Sequence, residues 1–310
     1  MTERYRPDSD AKASSMRRRA ASNKWAWMRS VVSSAGRYPA YFREFVRGYS
    51  QYSNHKYPIK KLQIWVGQTC TLKCKNCSQL FPYIKPQIYN IDTVIAQTQK
   101  IIQLCEVESF HIIGGEPFTH KGIGKLIEFV CQQKHSAINK IISNGTILPS
   151  DQTVEVLKRF RSDIQIQVTR YDCAKERQEK FISLCVVNGI QYFYTAQEAL
   201  WYYLGDCNQE EIRDAATIRQ NFNACWDRTC TTLADGELSA CPRMHNSSLV
   251  FGHSRPFIEH LKVAMLSNNR LGRALIAANL SVATHREACK FCHGITGFNK
   301  TVVQRGEQLD

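Results

Sequence analysis

From Lys60 to about residue 195, short runs of β-branched and apolar residues alternate with longer runs of helical periodicity. Few folds tolerate that alternation. Repeated strand–helix pairs bury their apolar faces when the strands lie parallel in one sheet beneath a layer of helices. Strands are expected over KLQIWVG, SFHII, INKIISN, IQIQVT and IQYFYTA, with helices near Asp92 to Cys105, Lys121 to Gln133, Ser150 to Arg161 and Lys175 to Asn188. Five or six such units are too few to close an eight-stranded barrel, so the expected class is α/β, a partial (β/α)6 TIM-like barrel over residues 58–195. Beyond residue 196 the rhythm breaks. There WYYLGDCNQEEIRDAA leads into a hairpin-like CTTLADGELSAC, and residues 196–310 are expected to form a small C-terminal cysteine-rich extension.

The greater part of the formal net charge of +14 is concentrated at the N-terminus rather than spread over the barrel. Residues 1–22 are polar and basic, with Arg17, Arg18 and Arg19 in a row, and are expected to be a disordered tail. Residues 23–57 alternate aromatic and basic side chains at helical spacing, which predicts amphipathic helices that cap the bottom of the barrel or meet an anionic surface peripherally. No apolar run is long enough to cross a bilayer, and the N-terminal residues lack the apolar segment of a signal peptide. A cytoplasmic protein is expected.

A reducing compartment makes thirteen cysteines a metal or redox signal rather than a disulfide framework. Three of them, Cys70, Cys74 and Cys77, stand in a CxxxCxxC spacing just after the first expected strand. Ligands at that end of a βα barrel face its active side. Three thiols are one short of a complete iron–sulfur or zinc set, and no fourth Cys or His lies nearby in sequence, so an open coordination position is implied. A zinc site that borrows a distant ligand is the structural alternative.

In this setting the CxxxCxxC spacing resembles that of the radical S-adenosylmethionine (radical SAM) enzymes. The resemblance continues at the following strand ends with Gly114-Gly115-Glu116-Pro117, similar to the family's GGEP element, and with Ser143-Asn144-Gly145-Thr146, similar to its TNG element. The fourth strand ends in Thr169-Arg170, where many relatives carry polar residues that face SAM. The resemblance implies that Cys70, Cys74 and Cys77 hold a [4Fe–4S] cluster whose fourth iron is chelated by SAM. It further implies that Gly114, Gly115, Glu116, Pro117, Ser143, Asn144, Thr169 and Arg170 form the SAM site, with Glu116 or neighbouring carbonyls at the ammonium. One departure is Asn76, which stands where many members place an aromatic residue beside the adenine.

A second group comprises Cys225, Cys230, Cys241, Cys289 and Cys292. The CxxC of the last pair suits one metal, and the hairpin around Gly236 can bring Cys241 alongside. The group is similar to the twitch form of the SPASM-type extension, which implies one auxiliary [4Fe–4S] cluster on Cys225, Cys241, Cys289 and Cys292, with Cys230 as the alternative to Cys225. Five cysteines fall short of the seven a full two-cluster pattern needs, and structural zinc is the alternative occupant. Of the remaining cysteines, Cys105, Cys131 and Cys185 fall on apolar helix faces and are expected in the core, while Cys207 is a candidate hydrogen-atom donor. His111 lies in an apolar strand as an expected core histidine; His245 and His293 lie near the second cysteine group.

The resemblance implies reductive cleavage of SAM to a 5′-deoxyadenosyl radical, hydrogen abstraction from a substrate C–H bond, and a flavodoxin- or ferredoxin-type electron donor. A sugar-like substrate, oxidised or epimerised, is favoured over modification of a ribosomally made peptide, because a single-cluster extension resembles that of aminoglycoside-pathway dehydrogenases. A non-catalytic zinc- or nucleic-acid-binding protein is the reading from another class, and the GGEP and SNGT elements have no use in it.

Overall fold

The structure, a computed structural model, describes residues 38–133, 135–197 and 200–309. The tail expected over residues 1–22 and the first of the expected N-terminal helices lie outside the described residues.

The chain enters through helix α1 (Tyr38–Gln51) and then runs β1 (Tyr57–Trp65), α2 (Ile91–Leu104), β2 (Cys105–Ile113), α3 (Ile123–Cys131), β3 (Asn139–Ser143), α4 (Asp151–Arg159), β4 (Ile164–Val168), α5 (Lys175–Val187) and β5 (Tyr192–Tyr194). Helix starts follow local chemistry: the Asn90 side chain accepts from Thr93 N–H at α2, and Ser150 accepts from Thr153 N–H at α4, each satisfying a donor that the first turn leaves free. Strands β1 to β5 are parallel neighbours in order. Their register aligns Ile64, Ile112, Ile141 and Ile166 in one fully buried row, packed under Leu104, Leu126, Leu157 and Phe181 of the helices. Because side chains alternate across a strand, the adjacent row of Gln63, His111, Lys140 and Gln165 faces the other side, so the face away from the helices is polar.

No sixth strand follows β5 in the main sheet. Trp201–Tyr202 (β6) pairs instead with Val302–Val303 (β10) as a separate antiparallel ribbon. After α6 (Ala215–Ala224), the sixth parallel strand is β7 (Thr231–Ala234), seated beside β1 with Leu62 opposite Thr231 and Ile64 opposite Leu233. Strands β8 (Glu237–Ser239) and β9 (Leu261–Lys262) continue the sheet antiparallel from there. Of the five or six expected units, five run consecutively, and the sixth parallel position is filled from the C-terminal extension. That extension joins the barrel's own sheet and core through Leu233, Leu238, Leu261 and Ile276 rather than folding apart. The physical reason is the open edge of β1, whose unpaired backbone groups the buried β7 satisfies. Asp235 and Gly236, both at positive φ, make the tight turn into β8 whose twist matches the paired strands.

Two further helices, α7 (Met244–Phe251) and α8 (Arg270–Leu280), complete the described chain. Helix α1 packs on α8. At Gly48 an added Cβ would stand 2.5 Å from the Ala277 methyl, so glycine lets the two helices close together. Tyr41, on the same face, donates to Glu259 at 2.7 Å and accepts from Arg286 at 3.0 Å. Residues 38–51 are thus held against α8 and the segment around Glu259 and Arg286. No helix among the described residues is long and apolar enough to cross a membrane.

His111 illustrates the polar inner row. Burial, with Lys61 and Lys140 adding repulsion, holds its imidazole neutral and lowers its pKa from 6.5 to about 4. Between those values the unfolded chain takes up a proton that the folded chain refuses, so this contribution to stability is complete above pH 6.5 and declines as pH falls toward 4. Urea unfolding across about pH 4–8 should show that His111→Gln removes this part of the acid sensitivity; identical pH profiles for the two proteins would contradict it.

Candidate functional site

The Cys70, Cys74 and Cys77 thiols lie on the loop between β1 and α2, and this loop is held by backbone packing before any ligand is considered. Val66 N–H donates to Ile113 O at 3.0 Å, Gly115 N–H to Gly67 O at 3.2 Å and Glu116 N–H to Thr69 O at 2.8 Å, so the β2 exit turn lies against the cysteine loop. The glycines make this approach feasible: a Cβ at Gly115 would sit 2.2 Å from Thr69 O, and one at Gly114 2.7 Å from Gly67 O. Within the loop, Cys77 N–H donates to Cys74 O and Leu80 N–H to Cys77 O, folding it into tight turns.

All three thiols line one cavity of about 300 Å³ at the C-terminal ends of the strands. Gly114 and Gly115 line it from β2, Ser143 and Asn144 from β3, and Thr169 and Tyr171 from β4. Asn76, Ser78 and Gln79 border the same space, and Trp201 and Tyr202 stand on the side of the β6 ribbon. Asn144 spans the gap between elements: its amide donates to Thr71 Oγ1 at 3.0 Å and to Cys70 Sγ at 3.5 Å. Burial pushes the Cys70 thiol up to about 11 and the Cys74 thiol up to about 12, and it also raises Cys77. Uncomplexed, these sulfurs are protonated at neutral pH and are poor nucleophiles, as expected of ligands that release protons only when a metal binds.

Three of the expected SAM-site residues, Glu116, Pro117 and Arg170, do not line this cavity. The Glu116 carboxylate is wholly buried and accepts from Ser143 Oγ at 2.8 Å, Asn144 N–H at 2.7 Å and Phe118 N–H at 3.1 Å. Glu116 is a tie between the ends of β2 and β3, with burial pushing its carboxyl up to about 7 against the pull of those bonds. Pro117 is buried behind it. Arg170 turns away to lie over the Tyr194 ring and toward Asp172, in a separate surface depression. Cys207 is exposed and absent from the cavity lining.

Other residues had no signal in the sequence. Gln178, fully buried on α5, donates to Asn144 O at 2.6 Å and Thr169 O at 2.7 Å and accepts from Tyr171 N–H and the Tyr194 hydroxyl. It fastens the ends of β3, β4 and β5 beneath the cavity. Residues 305–309 return as a strap over the cysteine loop: Lys75 N–H donates to Glu307 O at 2.8 Å, Leu309 N–H to Lys73 O at 2.9 Å, and the Gln308 amide to Cys74 Sγ at 3.5 Å. Only the fold brings positions so distant in sequence together.

The second cysteine group is also assembled. Cys225, Cys241, Cys289 and Cys292 line one small apolar cavity, with Arg243 in its wall. Cys230 does not line it and is buried at the start of β7. His245 is engaged with Glu237 at 3.4 Å and His293 with Gln209 at 3.0 Å, and neither lines the four-thiol cavity. Cys105, Cys131 and Cys185 are buried in the core.

Among the described residues, no three His, Cys, Asp or Glu side chains stand close enough together to hold a single metal ion. In both groups the thiols rim a cavity rather than close around a point. All-sulfur donors of this kind suit zinc or iron–sulfur centres. The first set fits a cluster with one open position: three thiols share a cavity with glycine backbone, hydroxyl and amide groups, and no fourth thiol lines it.

Residues 65–173, which span the cysteine loop and the ends of β1 to β4, match the family model of the radical SAM superfamily. The cavity built by these strand ends is lined largely by residues of the matched stretch. No curated protein matches the chain. Among solved structures it is similar to native anSMEcpe with bound AdoMet, at 17% identity and a TM-score of 0.35 over 44% of this chain and 44% of that one. It is also similar to SuiB of Streptococcus suis, at 12% identity and a TM-score of 0.37 over 69% and 66% of the two chains. A third similarity is to BtrN in complex with AdoMet and 2-DOIA, at 15% identity and a TM-score of 0.41 over 63% and 78%. The matched part covers less than half of the anSMEcpe chain.

Two outcomes test this architecture. Glu116→Ala removes the acceptor of three buried donors and should destabilise the fold by roughly 2–5 kcal/mol, read by chemical denaturation, because each orphaned donor costs about 1–3 kcal/mol and some regain water. Deleting residues 306–310 should leave Cys74 open to alkylation in the metal-free protein, followed by mass spectrometry, while Cys105 stays protected. Equal protection of Cys74 with and without the strap would show that the loop is covered by something else.

Proposed function

We propose that this chain is a radical SAM enzyme acting on a carbohydrate or cyclitol, in which Cys70, Cys74 and Cys77 hold a [4Fe–4S] cluster and the adjoining strand ends bind SAM. The observation that carries the reading is the single cavity shared by those three thiols, Gly114–Gly115, Ser143–Asn144 and Thr169, inside the residues that match the family. When bound, the cluster and SAM would supply an electron and a 5′-deoxyadenosyl radical able to take hydrogen from an unactivated C–H bond.

The chain's own residues supply placement and exclusion. The glycines keep the β2 turn flush with the cysteine loop, leaving its backbone at the cavity wall. Asn144 and Thr169 present amide and hydroxyl groups to the polar parts of SAM, oriented from below by Glu116 and Gln178. Leu72, Ile113 and Leu204 make the wall partly apolar, which keeps water from a reactive carbon centre. The far side carries Tyr171 and Trp201 in edge-to-face contact at 5.6 Å, together with Asn76, Ser78 and Gln79. Aromatic surface beside amides and hydroxyls suits the C–H faces and hydroxyl edges of a sugar ring, which supports the carbohydrate reading. Cys225, Cys241, Cys289 and Cys292 are the proposed ligands of one auxiliary [4Fe–4S] cluster, and a flavodoxin- or ferredoxin-type protein is the proposed electron donor.

Anaerobically reconstituted, dithionite-reduced protein given SAM should release 5′-deoxyadenosine, and Cys74→Ala should reduce that release by about 100-fold or more, since a cluster missing a ligand no longer delivers the electron. Addition of sugars or cyclitols should stimulate it. Stimulation by peptides alone would overturn the substrate class, and release unaffected by Cys74→Ala would overturn the assignment of the site.

A further inference from the structure

Between the two thiol sites lies a buried cation. Arg243, in the CPRMHN stretch two residues after Cys241, is 4% exposed. One terminal nitrogen donates to Ser78 O at 3.0 Å, immediately after Cys77. The other donates to Gly205 O and, at 3.5 Å, to Phe291 O, immediately before Cys292. Its Nε–H is buried without a hydrogen-bond partner, and the side chain lines the cavity of Cys225, Cys241, Cys289 and Cys292. No ion pair is formed by Arg243 among the described residues, although an unpaired buried guanidinium is costly. The guanidinium also lies over the Phe251 ring at 5.9 Å, but neither that ring nor the carbonyls supplies a full negative charge, and the orphaned Nε–H calls for an anionic partner.

We propose that Arg243 is a positioning residue shared by the two sites: its fork holds the loop after Cys77 and the loop before Cys292, its Nε–H serves the sulfurs of the auxiliary centre, and its charge raises the reduction potential of both clusters. The inference rests on the two-cluster reading above. Reduction adds negative charge to a cluster, and a nearby fixed cation and N–H donors to sulfur stabilise the reduced form. The charge reaches the first site as well, because Ser78, whose carbonyl the fork holds at 3.0 Å, follows Cys77 directly in the chain. Asn246, three residues on, provides a comparison. It is fully buried, donates to Gln79 O at 2.7 Å and accepts from Gln68 at 3.0 Å, so it grips the same cysteine loop without a charge.

The test is a redox titration of the reconstituted full chain followed by electron paramagnetic resonance, with iron counted per protein. Eight irons and two paramagnetic centres are expected in the wild type. In Arg243→Gln both midpoint potentials should move to more negative values, in Arg243→Lys the shifts should be smaller, and Asn246→Ala should leave the auxiliary potential at its wild-type value. Eight irons with neither potential moved, or with only one moved, would overturn the shared role. If Arg243→Gln fails to hold iron, Arg243→Lys, which keeps the charge but loses the fork and the Nε–H, decides: potentials at wild-type values would show that neither the fork nor the Nε–H acts on the clusters and would sink the shared positioning role. Four irons and one centre in the wild type would instead refute the auxiliary cluster itself, and the proposal with it.

Discussion

The close backbone contact between the β2 exit turn and the cysteine loop is the constraint from which the rest of the site follows. With no Cβ at Gly114 or Gly115, the turn rests directly on Gly67 and Thr69. The next residue, Glu116, can then bury its carboxylate under β3 and take three donors there. Two strand ends and the cysteine loop become a single rigid unit, to which Gln178 adds β4 and β5. Rigid support of this kind holds a reactive site to the tolerance its chemistry needs.

A second layer of restraint comes from the C-terminal half of the chain. Strand β7 closes the open edge of β1, which places the extension's hairpin and the start of α7 directly beside the cysteine loop. From there Arg243 and Asn246 reach the carbonyls of Ser78 and Gln79. The strap at residues 305–309 covers the same loop from another side. The first thiol site is thus enclosed by three stretches of chain far apart in sequence, and it cannot be complete until the whole chain has folded.

Much of this was legible beforehand where the signal is local. The alternation of apolar runs located β1 to β5 and α2 to α5 to within a few residues, because burial under a helix layer demands apolar strands and amphipathic helices in that order. For the same local reason, the spacing of Cys70, Cys74 and Cys77 marked one loop whose thiols share a cavity. The orientation of Glu116 was not legible, since a motif tells that a carboxylate stands at a strand end and not whether it turns outward or inward to Ser143 and Asn144. Gln178 gave no sign of its role: a glutamine on a helix with charged neighbours reads as solvated surface, yet it is fully buried.

The amino-acid sequence by itself determined the α/β class, the register of helix and strand along the barrel, and the two sets of thiols, because periodicity, turn chemistry and ligand spacing act over a few residues. Only the tertiary structure decided that the sixth parallel strand is β7, that Glu116 faces inward, that Cys225 rather than Cys230 lines the four-thiol cavity, and that Arg243 lies between the two sites. Those outcomes depend on which sheet edge remains unpaired and which buried polar groups need partners, and such demands are settled across the whole molecule at once.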